Sequence, residues 1–321
     1  MTARRQALAI LGSAALAPCA WAKDAVRVVG YLSNGAGADV LAKPLARFGY
    51  AEGRNIRFEV RMTSRDEAEL DRSAAELVAA RPEVMVSFGI RNIRALARHT
   101  STIPIVCGET ADPVGLGIAR SLARPGGNIT GLSAGIPEVA PILVGLMRAV
   151  RPALRRIITL VGEDTSGRAG DHWGRIIQAA IGEAKRVGLA WEIRSLATPE
   201  GLERALSGLS PDSDILYTIA PPQGVKDIQV ATLTRRRRLA IVSAGTGLVR
   251  AGGLMSYSID HADPMGRVAA LVHKLLRGAK PADTPFELPD RTTFLVNRAT
   301  ARAIGVELPP HVLVRATEII D

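Results

Sequence analysis

The chain has 321 residues, 47% of them hydrophobic and 22% charged, and a formal net charge of +10. That composition excludes a disordered chain, and two cysteines exclude a small disulfide-stapled scaffold; there is enough apolar material for a full core. The basic balance admits nucleic acid, an anionic surface or anionic ligands as partners without choosing among them.

In chain order, the first signal is an export leader. Arg4 and Arg5 precede Ala7 to Ala17, an apolar run with no acidic residue, and Ala20-Trp21-Ala22 supplies a small-x-small cleavage pattern before Lys23-Asp24. This is the layout of a signal peptide over 1–22, and its apolar core is too short for a permanent membrane span. The Arg pair fits twin-arginine export, while Ala7 stands where a bulkier apolar residue is usual, so the Sec and twin-arginine routes both stay open. Pro18 ahead of Cys19 argues against a lipid anchor, and the expected location is the free periplasm. Cleavage leaves about 299 residues, enough for one large domain or two medium ones. Its single cysteine, Cys107, lies in the apolar run Ile103 to Cys107 and reads as a small buried hydrophobe.

Short β-branched runs then alternate with helix-length segments, the pattern of parallel α/β sheets. Strands are expected to begin near Val26, Ile56, Val84 and Ile105, and again near Ile157, Leu189, Ile215 and Ala240. The steps are 30, 28 and 21 residues in the first set and 32, 26 and 25 in the second, each the length of a βαβ unit. Between strands run amphipathic helices, such as the one with Leu70, Ala74, Leu77 and Val78 on one face and Asp71, Arg72 and Glu76 around it. Two such sets predict an α/β protein with two doubly wound parallel-sheet lobes. Crossings between them are expected near Gly126 to Gly131, near Gly252 to Tyr257 and near Pro281 to Pro289. The expected division is 23–132 plus 254–282 for the first lobe and 133–253 plus 283–321 for the second. The run Arg235 to Arg238 falls at a predicted helix end, where cations are stabilised by the dipole. No stacking aromatics flank it, and no nucleic-acid partner is expected.

In open α/β sheets ligands bind at the carboxyl ends of the strands. In the first lobe those ends carry Ser33 and Asn34, then Phe88, Gly89 and Ile90, then Thr110 and Asp112. The helix starting after Gly89 would offer free backbone N–H groups to a carboxylate, and glycine there lets the backbone come close. Asp112 before Pro113 is both a helix-start signal and a candidate acceptor for an ammonium. In the second lobe the corresponding positions are Glu163 and Asp164, Pro221 and Gln223, and Ser243 and Thr246.

Enzyme readings are weaker. Gly131-Leu132-Ser133-Ala134-Gly135 matches a nucleophile elbow, which would make Ser133 the nucleophile of a serine hydrolase, but Pro137 and Pro141 argue against a helix directly after the serine. Gly35-Ala36-Gly37 with Val40 in place of the last glycine, and Glu59 further on, is an incomplete dinucleotide loop. The five histidines and Cys107 show no metal-ligand spacing. No cofactor, no metal and no catalytic residue is expected.

Longer motifs carry a family resemblance. Gly49 to Asn55 (GYAEGRN), Ser101 to Val106 (STIPIV) and above all Asp112 to Ser133 (DPVGLGIARSLARPGGNITGLS) are the first of them. Gly252 to Ser258 (GGLMSYS), Leu275 to Pro285 (LLRGAKPADTP) and the tail from Asn297 (NRATARAIGVELPP) follow. In that order and over the whole length, the chain resembles the ABC transporter substrate-binding proteins of the kind that includes tryptophan and tyrosine uptake receptors. The resemblance implies a periplasmic-binding-protein fold of the three-crossover type, a small polar metabolite such as an amino acid held in the cleft by hinge closure, and no chemistry on it. It further implies a monomer that delivers to an ABC permease in the inner membrane; a receptor that feeds a sensor partner is the alternative. Relatives often carry an Asn-Pro-like turn at Gly162-Glu163-Asp164 and bulkier aromatics at Ser243-Ala244-Gly245. Those departures weigh against an aromatic amino acid and fit a more polar or cationic one.

Overall fold

The computed structural model describes residues 26–33, 35–64, 66–162, 172–196, 201–219, 224–260 and 262–321. The leader and five of the expected site residues, Asn34, Glu163, Asp164, Pro221 and Gln223, lie outside them.

The first sheet is built from β1 (Arg27–Ser33), β2 (Ile56–Met62), β3 (Val84–Ser87), β4 (Ile105–Thr110) and β5 (Ile129–Ser133), in the order β2-β1-β3-β4-β5. All its pairings are parallel. Helices cover both faces, which is why β3 reads as an unbroken buried run instead of alternating. One face receives α2 (Glu67–Ala79), capped by Asp66, whose carboxylate accepts the Glu69 N–H at 2.8 Å. Its Leu70, Ala74 and Leu77 recur on one side of the helix and pack with Met85 and Ile105, beside α3 (Ile90–His99). On the other face α1 (Asp39–Ala46) and α9 (Pro264–Leu276) bury Leu41, Leu45, Val268, Leu271 and Val272 against Val29, Val86 and Val106. Each such side chain contributes about 1.5–3 kcal/mol on burial.

The second sheet has the order β12-β11-β10-β9-β8-β6-β7. Its strands are β6 (Arg156–Gly162), β7 (Ala190–Leu196), β8 (Asp214–Thr218), β9 (Ala240–Ser243), β10 (Met255–Asp260), β11 (Arg291–Asn297) and β12 (Glu318–Ile320). Helices α4 (Ile136–Val150), α5 (His172–Arg186), α6 (Leu202–Ala205), α7 (Asp227–Arg236), α8 (Thr246–Arg250), α10 (Arg298–Ile304) and α11 (Pro310–Arg315) complete this lobe. Leu143, Leu146 and Met147 of α4 join Ile157, Ile215, Tyr217, Met255 and Phe294 in its main core. At the base of the sheet Asp214, almost fully buried, takes two bonds from the Arg156 guanidinium, at 2.7 and 3.2 Å, and a third from the Ser210 N–H. The buried charge is tolerated because both carboxylate oxygens accept hydrogen bonds, two of them from a cation.

Three features differ from the sequence reading. Gly126 to Gly131 is not a crossing: Ile129–Ser133 forms β5, paired with β4 from Ile105↔Ile129 onward, and the chain leaves the first lobe only after Ser133. Residues 255–260 do not belong with the first lobe, because β10 pairs with β9 and β11. The chain returns with α9. Conversely, residues 284–287 stay with the first lobe, where the Phe286 N–H donates to the Leu122 carbonyl and the Ser133 N–H to that of Glu287. The reason is shared by all three. A short apolar run has the same sequence signature in either sheet, and only tertiary pairing assigns it. The β10–β11 pair is also antiparallel, so the second sheet is mixed.

Candidate functional site

The crossings fix where a site forms. The chain leaves the first sheet at the carboxyl end of β5 and the second at the carboxyl end of β10, and it re-enters the second sheet through β11, antiparallel to β10. All three connections therefore join the carboxyl edges of the two sheets, and those edges border the space between the lobes.

Those edges share a chemical pattern. Ser33, Ser87, Thr110 and Ser133 end β1, β3, β4 and β5, and Thr218 and Ser243 end β8 and β9. All six are at least nine-tenths buried. Most of these hydroxyls are committed locally. Ser33 donates to the Ala36 carbonyl and accepts from the Gly35 N–H, Ser87 donates to the Leu32 carbonyl at 2.7 Å, and Ser243 donates to the Gly245 carbonyl. Thr110 differs. It is 2% exposed and its Oγ1 has no partner, although an uncompensated buried hydroxyl costs about 1–3 kcal/mol. The Oγ of Ser256 on β10, level with Ser243, is unpartnered too. Sequence reasoning passed over Ser87 and Thr218, for which the recurring Ser or Thr at strand ends was the available signal, and Ser256, the second residue of its strand, for which pairing with Ser243 alone gives the placement.

Two residues beyond Thr110, Asp112 is half-buried at the head of a single helical turn in which the Leu116 N–H donates to the Asp112 carbonyl at 3.0 Å. Its Oδ1 accepts the Gly115 N–H at 2.9 Å. A Cβ on Gly115 would lie 2.1 Å from Oδ2, so glycine is needed for the carboxylate to sit there. Beside it, β3 leads through Phe88 and Gly89 into α3. Gly89 has φ 81°, ψ 140°, a conformation natural for glycine, and as N-cap it supplies no side-chain acceptor. Glycine there gives the first turn of α3, which starts at Ile90, no side-chain cap from the N-cap position. Phe88 is half-buried, edge-on to Tyr31 at 6.5 Å, with its ring over Gly108, where a Cβ would be 2.1 Å away. The ring therefore packs against β4. Thr246 is half-exposed at the start of α8.

The elbow motif finds a different use. Ser133 is a strand residue, 2% exposed, whose Oγ accepts the Gly135 N–H at 3.2 Å. Of the downstream histidines, His273 is stacked on Phe48 and bonded to the Tyr50 hydroxyl, His311 lies exposed on α11, and His261 is outside the described residues. A hollow of about 540 Å³ near His273, lined also by Arg27, Asn55 and Arg277, opens at the amino ends of β1 and β2, away from the strand tips.

Cys107 is fully buried on β4, and desolvation pushes its thiol up to about 12. A neutral buried thiol is a poor nucleophile. Native protein is expected to leave a thiol-specific disulfide reagent essentially unreacted at pH 8, and denaturant is expected to release the Cys107 thiol to it; fast labelling of native protein would contradict this placement.

Comparisons with known proteins bear on the family and the fold. A sequence profile of the family described as ABC transporter substrate binding protein matches residues 33–320. A tyrosine-binding protein of Clostridioides difficile is 21% identical over 266 residues, 83% of this chain and 75% of that protein. Among solved structures, an ABC domain in complex with L-Trp from Streptococcus pneumonia superposes with a TM-score of 0.63 at 23% identity, covering 93% of this chain and 100% of that one. A conserved domain protein from Vibrio cholerae gives a TM-score of 0.66 at 22% identity, with 92% and 100% covered.

Proposed function

The chain belongs to the family of ABC transporter substrate binding proteins, and on that premise we propose that it captures a free L-amino acid between its lobes and releases it chemically unchanged. The observation that carries this reading is the pairing of an unpartnered buried hydroxyl, Thr110 Oγ1, with the Asp112 carboxylate at the tips of the first sheet. Next to them the backbone N–H groups of the first turn of α3 stand behind the N-cap Gly89, which has no side chain to cap them. A zwitterion matches that arrangement: its carboxylate takes the N–H groups and its ammonium takes Asp112. The names of the Clostridioides and Streptococcus relatives, which bind tyrosine and L-Trp, support the amino-acid class. The second lobe contributes Ser243 and Thr246, with Glu163, Asp164, Pro221 and Gln223 as further candidates, and closes over the ligand by rotation about the three crossovers. The leader-like segment 1–22 supports a periplasmic location, the family supports delivery to an ABC permease, and we propose that the chain acts as a monomer.

Thermal denaturation of the mature protein with each of the twenty L-amino acids separately tests this. One of them, or a small chemically related set, is expected to raise Tm by several degrees, since ligand at 100 times Kd adds about 2.7 kcal/mol. Mass spectrometry is expected to recover the stabilising amino acid intact. No shift from any of the twenty, or conversion of the bound one, overturns the reading.

A further inference from the structure

The three crossovers are tied together by a few polar groups, and their placement is specific. Glu287 lies on the third crossover, yet its backbone pairs with the first: the Ser133 N–H donates to the Glu287 carbonyl, and the Glu287 N–H donates to the Gly131 carbonyl, both at 2.9 Å. Its side chain reaches the helix that follows the second crossover, where Arg267 Nε donates to Glu287 Oε2 at 2.7 Å. The same guanidinium bonds Asp290 through Nη1. Asp290 stands one residue before β11, at the second lobe's end of the third crossover, and its Oδ1 accepts the Ala262 N–H of the second crossover at 3.0 Å. That bond prolongs the antiparallel ladder, whose last pair is Asp260↔Arg291.

Arg267 thus grips Glu287, anchored to the first lobe, and Asp290, anchored to the second. The three side chains are about a quarter to a half exposed, so the pairs are neither buried nor fully screened. Rotation of one lobe against the other must be absorbed by backbone torsions in all three crossovers, among them those near Ala262 and between Leu288 and Asp290. Arg267 bridges that joint.

We propose that Arg267, Glu287 and Asp290 form a clasp that restricts the hinge to a narrow range of lobe orientations, and that the clasp thereby raises the affinity for ligand. The inference rests on the reading of the chain as a hinged binding protein and adds positioning residues that touch no ligand. The physical reason is population: binding selects closed-competent orientations, and every orientation freed by loss of the clasp dilutes them.

The test is a distance measurement between spin labels on the lobes, at Arg72→Cys on α2 and Glu203→Cys on α6, both exposed positions. Buried Cys107 stays unlabelled in the native protein. Without ligand, Arg267→Met is expected to broaden the interlobe distance distribution relative to wild type. Asp290→Asn, which keeps an acceptor for Ala262, is expected to broaden it less. In titrations with whichever of the twenty L-amino acids raises the wild-type Tm most, Arg267→Met is expected to bind 3–10-fold more weakly, with Asp290→Asn in between. An unchanged ligand-free distribution in Arg267→Met overturns the clasp. A wild type whose distribution answers to none of the twenty amino acids overturns the proposed function instead, and the ligand-free comparison still decides on the clasp.

Discussion

Gly131→Ala is expected to destabilise the protein by roughly 3–4 kcal/mol, among the larger effects a single methyl group can have. A Cβ on Gly131 would lie 2.0 Å from the Cys107 carbonyl oxygen and 2.8 Å from the Cys107 carbonyl carbon. Both residues are mid-strand and directly paired in register, Cys107↔Gly131, so the obstacle is backbone held in a ladder. It cannot swing away as a flexible side chain would. A φ of 156° at Gly131 adds to the strain for any residue with a side chain. Gly127 is the internal control, four residues earlier with nothing within 4 Å of a built Cβ, and Gly127→Ala is expected to stay within about 0.5 kcal/mol of wild type. Urea unfolding of both variants, read by circular dichroism, checks the pair. Equal midpoints would show that the close approach of β5 to β4 is no constraint. The glycine that opens the apparent elbow motif is therefore accounted for by sheet packing. Its carbonyl also accepts the Glu287 N–H, so the same glycine seats β5 where the crossovers meet.

Much of the architecture was legible because short apolar, β-branched runs alternate with helix-length segments of 3.6-residue period. β6 and β8 start within a residue of Ile157 and Ile215, and Leu70, Ala74 and Leu77 face the core as their spacing predicts. The lobe boundaries were not legible. Leu254 to Tyr257 is as apolar as any strand of the first sheet, and nothing local says that its hydrogen bonds go to Val242 and Ser243. β5 was hidden for a related reason. Gly126, Gly127 and Gly131 together suggest a loop, whereas Gly131 is required by a neighbour strand that lies some twenty residues earlier in sequence. At the site, strand-end positions could be named from topology alone. Which hydroxyl is spent on its own turn, as in Ser33 and Ser243, and which is left unpartnered, as in Thr110, depends on loop conformation that sequence spacing does not encode.

Asp112→Asn separates the two roles that meet at one carboxylate. Asn retains an oxygen that can accept the Gly115 N–H, so the turn after β4 should persist and Tm should move by no more than a few degrees. What disappears is the charge. If Oδ2 accepts the ammonium of an amino acid, the variant loses a charge-assisted hydrogen bond worth about 1.5–3 kcal/mol, and affinity falls about 10–150-fold. Asp112→Lys should abolish measurable binding, because it adds repulsion to the loss. Gly115→Ala supplies the converse case: its Cβ would lie 2.1 Å from Oδ2, so the carboxylate keeps its charge but must leave its seat. Affinity should therefore fall there too, although no ionisable group has changed. Calorimetric titration with the amino acid that stabilises the wild type reads all three variants. Unchanged affinity in Asp112→Asn and in Gly115→Ala would confine Asp112 to closing its turn. The ammonium would then have to be held from the second lobe, where Glu163 and Asp164 follow β6 in sequence.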